Sequence, residues 1–191
     1  MSQNKAELSS NERSQLLKLA RSVIGAELDP SIQVDRPANI SDALAEERGC
    51  FVTLEIGGAL RGCIGTLNPR DTLVSNVEEN ALNAAFKDPR FAPLRRDEFD
   101  RVRIEISVLS KPAPLLHHQP QELLDVLQPN LHGVILTKDW HSATFLPQVW
   151  SQLPDKIQFL EHLCIKAGLT PESWMDPAVG IKIYTVEHFS E

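Results

Sequence analysis

Two runs of strand-forming residues joined by a glycine pair constrain the fold of this chain more than any other feature. CFVTLEI (50–56) and ALRGCIGTL (59–67) flank Gly57-Gly58. A two-residue glycine turn matches the twist of the strands on either side of it. We therefore predict an antiparallel hairpin over residues 50–67. A tight hairpin also excludes a purely parallel sheet, whose strands need long crossover connections.

Helical and strand patterns alternate along the rest of the chain. Apolar residues recur at helical spacing over 10–28, and VRIEISVL (102–109) alternates apolar and polar residues as a half-buried strand does. HGVILTKDWHSATFL (132–146) predicts a second antiparallel hairpin that turns at Lys138-Asp139. Helices interleaved with hairpins predict an α+β fold, a mixed sheet with flanking helices.

The proline-rich segment KPAPLLHHQP (111–120) is the best candidate for a connection between two parts of the chain. The first residues are polar, so we predict a disordered tail over 1–9. We interpret residues 10–191 as a single domain made of two lobes. A chain of 191 residues is long enough to bury a core without disulfide support.

Charge and composition narrow the classes of function. The formal net charge of −7 argues against binding to nucleic acid as the main activity, since such proteins usually carry a basic face. The sequence has no apolar run of membrane-spanning length and no apolar leader near residue 1. Three cysteines without CxxC spacing predict free thiols in a reducing compartment. We therefore expect a cytoplasmic protein that does not bind membranes.

No motif identifies a metal site or a cofactor. None of the six histidines pairs with another at i, i+4 spacing, and phosphate-binding and dinucleotide-binding glycine motifs are absent from the sequence. The cofactor is therefore unknown, and we predict no metal site. His132 precedes Gly133 at a predicted strand start, where a ligand contact and a simple turn are both plausible.

The stretch LRGCIG (60–65) places a thiol and a guanidinium on one strand. Side chains of a strand alternate between faces, so Arg61, Cys63 and Gly65 share one face. On the opposite face, the alternation predicts Leu60 and Ile64 in the core.

Cys63 lies between Gly62 and Gly65, and this arrangement has two interpretations. A nearby guanidinium favours the reactive thiolate form of cysteine, and glycines allow a ligand to approach the backbone closely. In this interpretation the stretch is a bare, electropositive surface around a thiol, with Arg61 binding an anion. Alternatively, Cys63 is a small apolar residue that packs in the core.

AFKDPRFAP (85–93) is the second informative stretch. Asp88 follows a predicted helix, where its negative charge meets the negative end of the helix dipole. We therefore expect a compensating cation from Lys87, Arg90 or Arg61. The alternative is that Asp-Pro simply ends the helix.

Five ordered blocks of the sequence resemble one protein family. They are LRGCIGTL, AFKDPRFAPL, RIEISVLS, HGVIL and ATFLPQVW. They resemble the AmmeMemoRadiSam system protein A family, the bacterial relatives of the AMME-syndrome candidate protein. The resemblance implies a two-lobed α+β fold with LRGCIG near the interface between lobes. It also implies a Memo-like protein and a radical-SAM enzyme as partners, but no particular reaction.

Two hypotheses for function follow. The first is a thiol-dependent enzyme or enzyme component with Cys63 as catalytic nucleophile or redox group. The second is a non-catalytic module that recognises a ligand, a peptide or, less favoured by the charge, RNA, and presents it to a partner enzyme. The enzyme hypothesis lacks a base that the sequence ties to Cys63, and His132 is a candidate for that role by residue type alone. The candidate ligand-binding residues are Arg61, Gly62, Gly65, Asp88, Arg90 and His132.

Overall fold

The structure is a computed structural model that describes residues 7–116 and 119–191. The described chain divides into two compact units. The first runs to Ser110 and is completed by Glu187–Glu191, and the second is the continuous segment Lys111–Val186. The second unit is thus inserted in the sequence ahead of the last few residues of the first.

Six α-helices and eight strands form the two units within the described residues. The helices are α1 Ser10–Leu28, α2 Asp42–Ala45, α3 Leu73–Phe86, α4 Arg96–Phe99, α5 Pro120–Val126 and α6 Lys156–Lys166. The strands are β1 Cys50–Ile56, β2 Ala59–Thr66, β3 Val102–Leu109, β4 Ala113–Pro114, β5 Gly133–Lys138, β6 His141–Phe145, β7 Gly180–Tyr184 and β8 Val186–Ser190. Short 3₁₀ helices occupy Pro147–Ser151 and Pro171–Met175.

The first sheet has the strand order β2-β1-β3-β8. β1 pairs antiparallel with both β2 and β3, and Gly57 and Gly58 make the β1–β2 turn with positive φ angles of 61° and 79°. The predicted hairpin over 50–67 is confirmed. Alternate residues such as Val52 and Ile104 are buried in one core with α1 and α3. The intervening residues of β1 and β3 therefore lie on the other face of the sheet.

The second sheet has the strand order β4-β7-β5-β6 and its own core. β5 and β6 form the second predicted antiparallel hairpin. Its turn is at Asp139 and Trp140, one residue later than predicted, with Asp139 at a φ of 53°. In the core, the rings of Trp150 and Phe159 stack with their centroids 3.6 Å apart.

The α+β class is confirmed, with the strands in two four-stranded sheets rather than one mixed sheet. The β1–β2 and β5–β6 pairs are hairpins with two-residue turns, which require antiparallel strands. Of the predicted tail 1–9, residues 1–6 lie outside the described residues, and Leu8 is buried. The assignment of 10–191 to a single two-lobed domain stays a prediction. None of the helices in the described residues could cross a bilayer.

Candidate functional site

Arg61 is an extra residue in β2. Leu54 of β1 pairs with Gly62, and the next residue, Glu55, pairs with Leu60, so Arg61 has no partner in β1. Such a β-bulge reverses the alternation of side chains beyond it. Leu60 therefore shares a face with Glu55 and is 43% exposed. Its predicted place in the core is wrong, whereas Ile64 packs against the core as expected.

The two glycines of the motif allow close packing on opposite faces of β2. A Cβ atom on Gly62 would lie 2.2 Å from the carbonyl oxygen of Ala84 in α3. A Cβ atom on Gly65 would lie 2.2 Å from the ring of Phe51, its partner in β1. Packing alone therefore accounts for both glycines, and their assignment to ligand binding stays a prediction.

Asp88 and Arg90, which we call the Cys63 clamp, hold the backbone of Cys63 from the outer edge of the sheet. The N–H of Cys63 donates to Asp88 Oδ2 at 2.9 Å, and Arg90 Nη2 donates to the carbonyl oxygen of Cys63 at 3.1 Å. Arg90 also donates to both carboxylate oxygens of Asp88, at 3.0 and 2.7 Å. β2 is an edge strand, so these contacts replace a missing neighbouring strand at Cys63.

The clamp is an ion pair with one buried and one exposed member. The side chain of Asp88 is 2% exposed and that of Arg90 is 54% exposed. Hydrogen bonds from Arg90, and then from the Cys63 N–H, hold the pKa of Asp88 well below its usual range although burial opposes the shift. The pKa of Arg90 is raised, mainly by Asp88 and to a smaller extent by Cys63. Arg90 thus supplies the cation that was expected to compensate the negative charge of Asp88 at the C-terminal end of α3.

Arg61 is paired with a different carboxylate. Its Nε and Nη2 atoms donate to Glu98 of α4 at 2.9 and 3.0 Å, and its guanidinium carbon lies 5.9 Å from the ring centre of Phe91. Hydrogen bonds from Arg61, and then from the Arg95 N–H, lower the pKa of Glu98 to about 2. Both arginines of the predicted site therefore have carboxylate partners within the protein.

Cys63 is the one cysteine of the three that is not buried. All three thiols are free, and Cys50 and Cys164 are buried. Burial raises the pKa of Cys50 to about 12 and raises the pKa of Cys164. The Cys63 thiol is half-buried and accepts a hydrogen bond from Thr53 Oγ1 at 3.4 Å.

Polar side chains continue from Cys63 across the same face of the first sheet. Thr53 lies opposite Cys63 on one side and opposite Glu105 on the other. In β8, His188 Nδ1 lies 2.9 Å from Ser107 Oγ and 4.0 Å from Glu105 Oε1. No pattern in the sequence predicted this polar row. Alternation in VRIEISVL placed Glu105 on a polar face, but nothing in the sequence indicated which strands lie beside it.

His132 lies in the second unit and has structural contacts of its own. Its Nδ1 accepts the N–H of Gln128 at 3.2 Å, and its carbonyl oxygen accepts the indole N–H of Trp150 at 2.7 Å. The side chain is buried, which lowers the pKa of the imidazole. These contacts account for a histidine at this turn, and its assignment to ligand binding stays a prediction.

Comparison with known proteins identifies the family. The family model AMMECR1 matches residues 17–189. The chain belongs to the AMMECR1 family. A protein of Methanothermobacter thermautotrophicus is 36% identical over 187 residues, 97% of each chain. Protein MK0488 of Methanopyrus kandleri is 38% identical over 184 residues, 92% of this chain and 86% of that protein.

A solved structure shares the fold of this AMMECR1-family chain. The crystal structure of uncharacterized protein PH0010 from Pyrococcus horikoshii matches it with a TM-score of 0.76 and 34% sequence identity. The match covers 94% of this chain and 92% of that one. The family match agrees with the resemblance inferred from the five sequence blocks.

In this AMMECR1-family chain, the two stretches singled out in the sequence meet in space. Asp88 and Arg90 of AFKDPRFAP bind the backbone of Cys63 in LRGCIG. The result is a fixed thiol with a hydroxyl and a guanidinium as neighbours, on a sheet face that also carries a carboxylate and an imidazole. Among the described residues, no group of three or more His, Cys, Asp or Glu side chains is arranged to hold a metal ion.

Proposed function

We propose that the protein is a thiol-dependent enzyme, or the thiol-bearing component of one, in which Cys63 reacts with the substrate. One observation carries this proposal: the only thiol that is not buried has its backbone fixed by the Cys63 clamp. The clamp residues lie 25 and 27 residues away in sequence. Rigid placement of a reacting group lowers the entropic cost of reaching a productive geometry.

The neighbours of Cys63 suit such a role. The Thr53 hydroxyl contacts the sulfur, and the exposed guanidinium of Arg90 is available to an anionic group of a substrate. Cysteine can act as a nucleophile beside a cation without a paired histidine. Farther along the same sheet face, Glu105 and His188 could exchange protons with a substrate that extends that far.

A recognition module is the second candidate, and the ion pairs favour it. Arg61 and Arg90 are both already bound to carboxylates, and among the described residues the side-chain partner of the Cys63 sulfur is a hydroxyl rather than an imidazole. In this alternative, the sheet face around Cys63 binds a ligand or peptide without reacting with it.

The sequence resemblance supports a proposal for the partners, and the free thiols support one for the location. It suggests that the protein acts together with a Memo-like protein and a radical-SAM enzyme. Free thiols are typical of reducing compartments, which supports a cytoplasmic location. Affinity purification of the tagged protein from its native cells tests the partners, and recovery of neither enzyme contradicts them.

The reactivity of Cys63 tests the choice between the two functions. We expect iodoacetamide at neutral pH to alkylate Cys63 faster in the folded protein than in protein unfolded in urea. Arg90→Gln should remove this acceleration, whereas Arg95→Gln, which alters an exposed ion pair with Asp97, should not. Folded protein that reacts no faster than unfolded protein contradicts a reactive thiol.

Complementation of a deletion strain then tests whether the thiol is needed. We expect Cys63→Ser to melt near the wild-type temperature and to fail to complement, since it nearly keeps the shape but removes the thiol chemistry. If Cys63→Ala complements fully, Cys63 has no chemical role and the recognition module is the better description.

A further inference from the structure

A cavity with a volume of about 280 Å³ lies between α1 and the loop that follows it. α1 lines one side with Asn11, Gln15 and Lys18, whose spacing places them on one face of the helix. Loop residues 35–38 line the other side. Pockets for drug-sized ligands measure roughly 300–1,000 Å³ and are mostly apolar. This cavity is smaller and polar, so its size and lining suit a small polar molecule.

The loop that lines the cavity is fixed to two helices. The N–H of Asp35 donates to Ser22 Oγ of α1 at 2.9 Å. Arg36 Nε donates to Glu78 Oε2 of α3 at 3.2 Å, within an ion pair. A binding site whose walls are already held in place loses less entropy when the ligand arrives. The two attachments therefore form the cavity in advance of any ligand.

Most of the polar side chains that line the cavity have no partner in the protein. Within the described residues, four of them make no side-chain hydrogen bond or ion pair, namely Asn11, Gln15, Lys18 and Asp35. Polar side chains close by in sequence are bonded: Glu12 accepts hydrogen bonds from Ser9 and Ser41. The cavity thus collects amide donors and acceptors, an ammonium group and a carboxylate that the rest of the described chain does not use.

The unpaired charges of the cavity have both signs. Lys18 is a cation and Asp35 is an anion, and no ion pair joins them among the described residues. The charge of Arg36 is compensated by Glu78. Asp35 would repel a ligand that is only negative, and Lys18 would repel one that is only positive. A ligand that carries both charges offers an opposite charge to each side chain.

We propose that this cavity binds a free amino acid, with its carboxylate paired to Lys18 and its ammonium group paired to Asp35. Hydrogen bonds between ionised groups are stronger than those between neutral groups, so these two contacts supply most of the affinity. The amides of Asn11 and Gln15 bind the remaining polar atoms of the ligand. None of the residues that line this cavity belongs to the Cys63 clamp, so the site is independent of the reaction proposed for Cys63.

Ligand-observed NMR and calorimetry test the proposal with the full chain at neutral pH. Saturation-transfer spectra are recorded with each of the protein amino acids in turn. The dissociation constant of the tightest binder is then measured for wild type, Lys18→Met, Asp35→Asn and the control Lys111→Met, an exposed lysine of the second unit. We expect about tenfold weaker binding for the two cavity variants and unchanged binding for Lys111→Met. Because Lys18 and Asp35 are exposed, both cavity variants should fold as wild type does.

Analogues of the same amino acid test whether both charges are read. The analogue without the amino group and the analogue with an amide in place of the carboxylate should each bind wild type about tenfold more weakly. The proposal is overturned if no amino acid binds, or if either cavity variant binds the amino acid as tightly as wild type does. Equal binding of either analogue also overturns it, because one charge would then be enough.

Discussion

At the residue scale, Asp88 connects the end of a helix to the edge of a sheet. It follows the C-terminal cap of α3 and accepts hydrogen bonds from both Cys63 and Arg90. Replacing either carboxylate oxygen by an amide NH2 removes the acceptor from two donors, either the Cys63 N–H and Arg90 Nη2 or the Arg90 N–H and Nε. Because an orphaned donor costs more than the bond itself contributes, this position should be sensitive to small changes.

We predict that Asp88→Asn lowers the free energy of unfolding by about 1–3 kcal/mol at pH 7, the usual cost of leaving buried polar partners unsatisfied. Urea denaturation measures the change. Asp97→Asn is the matched control, since Asp97 forms an exposed ion pair with Arg95 and should have little effect. Equal losses in the two variants contradict a structural role for the clamp.

The same substitution should change the dependence of stability on pH. The pKa of Asp88 is lower in the folded protein than in the unfolded chain. Its contribution is therefore fully present above the ordinary carboxyl pKa of about 4 and is lost as the pH falls below that value. When the pH is lowered from about 5 to about 2, a range that spans this pKa, the free energy of unfolding should therefore fall less for Asp88→Asn than for wild type.

The clamp was only partly predictable from the sequence. The position of Asp88 after a helix predicted a cation from a short set, and Arg90, two residues away, is the one that binds. The pairing of Arg61 with Glu98 joins residues 37 positions apart. Such a contact depends on how α4 lies beside β2, which no local pattern of residues determines.

At the scale of elements, the bulge at Arg61 decides which side chains of β2 are buried. The hairpin itself was predictable because the glycine turn and the flanking strands are local features. A single inserted residue leaves the apolar spacing of a short strand ambiguous, so its effect on Leu60 could not be predicted. The turn residues and the alternation predict a strand pair, but not its exact register.

Alanine substitutions on either side of the bulge test this arrangement. We predict that Leu60→Ala changes the free energy of unfolding by less than about 0.5 kcal/mol, as exposed substitutions usually do. Ile64→Ala should cost about 1–3 kcal/mol, because Ile64 packs partly against the core. Thermal or urea unfolding measures both. A larger loss in free energy of unfolding for Leu60→Ala than for Ile64→Ala would contradict this arrangement, because it would mean that Leu60 rather than Ile64 packs against the core.

At the scale of the whole molecule, each of the two units has its own hydrophobic core. The first contains residues of α1, α3, β1 and β3, and the second contains residues of β5, β7 and α6. The proline-rich segment that follows Ser110 marked the first boundary in the sequence. The return to the first unit at Glu187 was not marked, because a short strand late in a chain can pair with either sheet.

Hydrogen exchange can show whether each core supports its own sheet. We predict that Phe189→Ala, which removes packing against the first core, increases amide exchange in β1 and β3 but not in β5. Leu160→Ala, in the second core, should have the opposite pattern. Mass spectrometry of peptides from the exchanged protein separates the two sheets. Faster exchange of both sheets in both variants contradicts two separately stabilised cores.

The late position of β8 has a consequence for protein synthesis. β8 supplies an edge strand of the first sheet, and its Glu187 accepts hydrogen bonds from Leu8 and Arg13 near the other end of the chain. A ribosome finishes every residue of Lys111–Val186 before it makes that glutamate. The inserted unit can therefore fold before the first sheet is complete. Until β8 is made, β3 is an unprotected edge strand of the nascent chain, to which chaperones can bind and at which aggregation can begin.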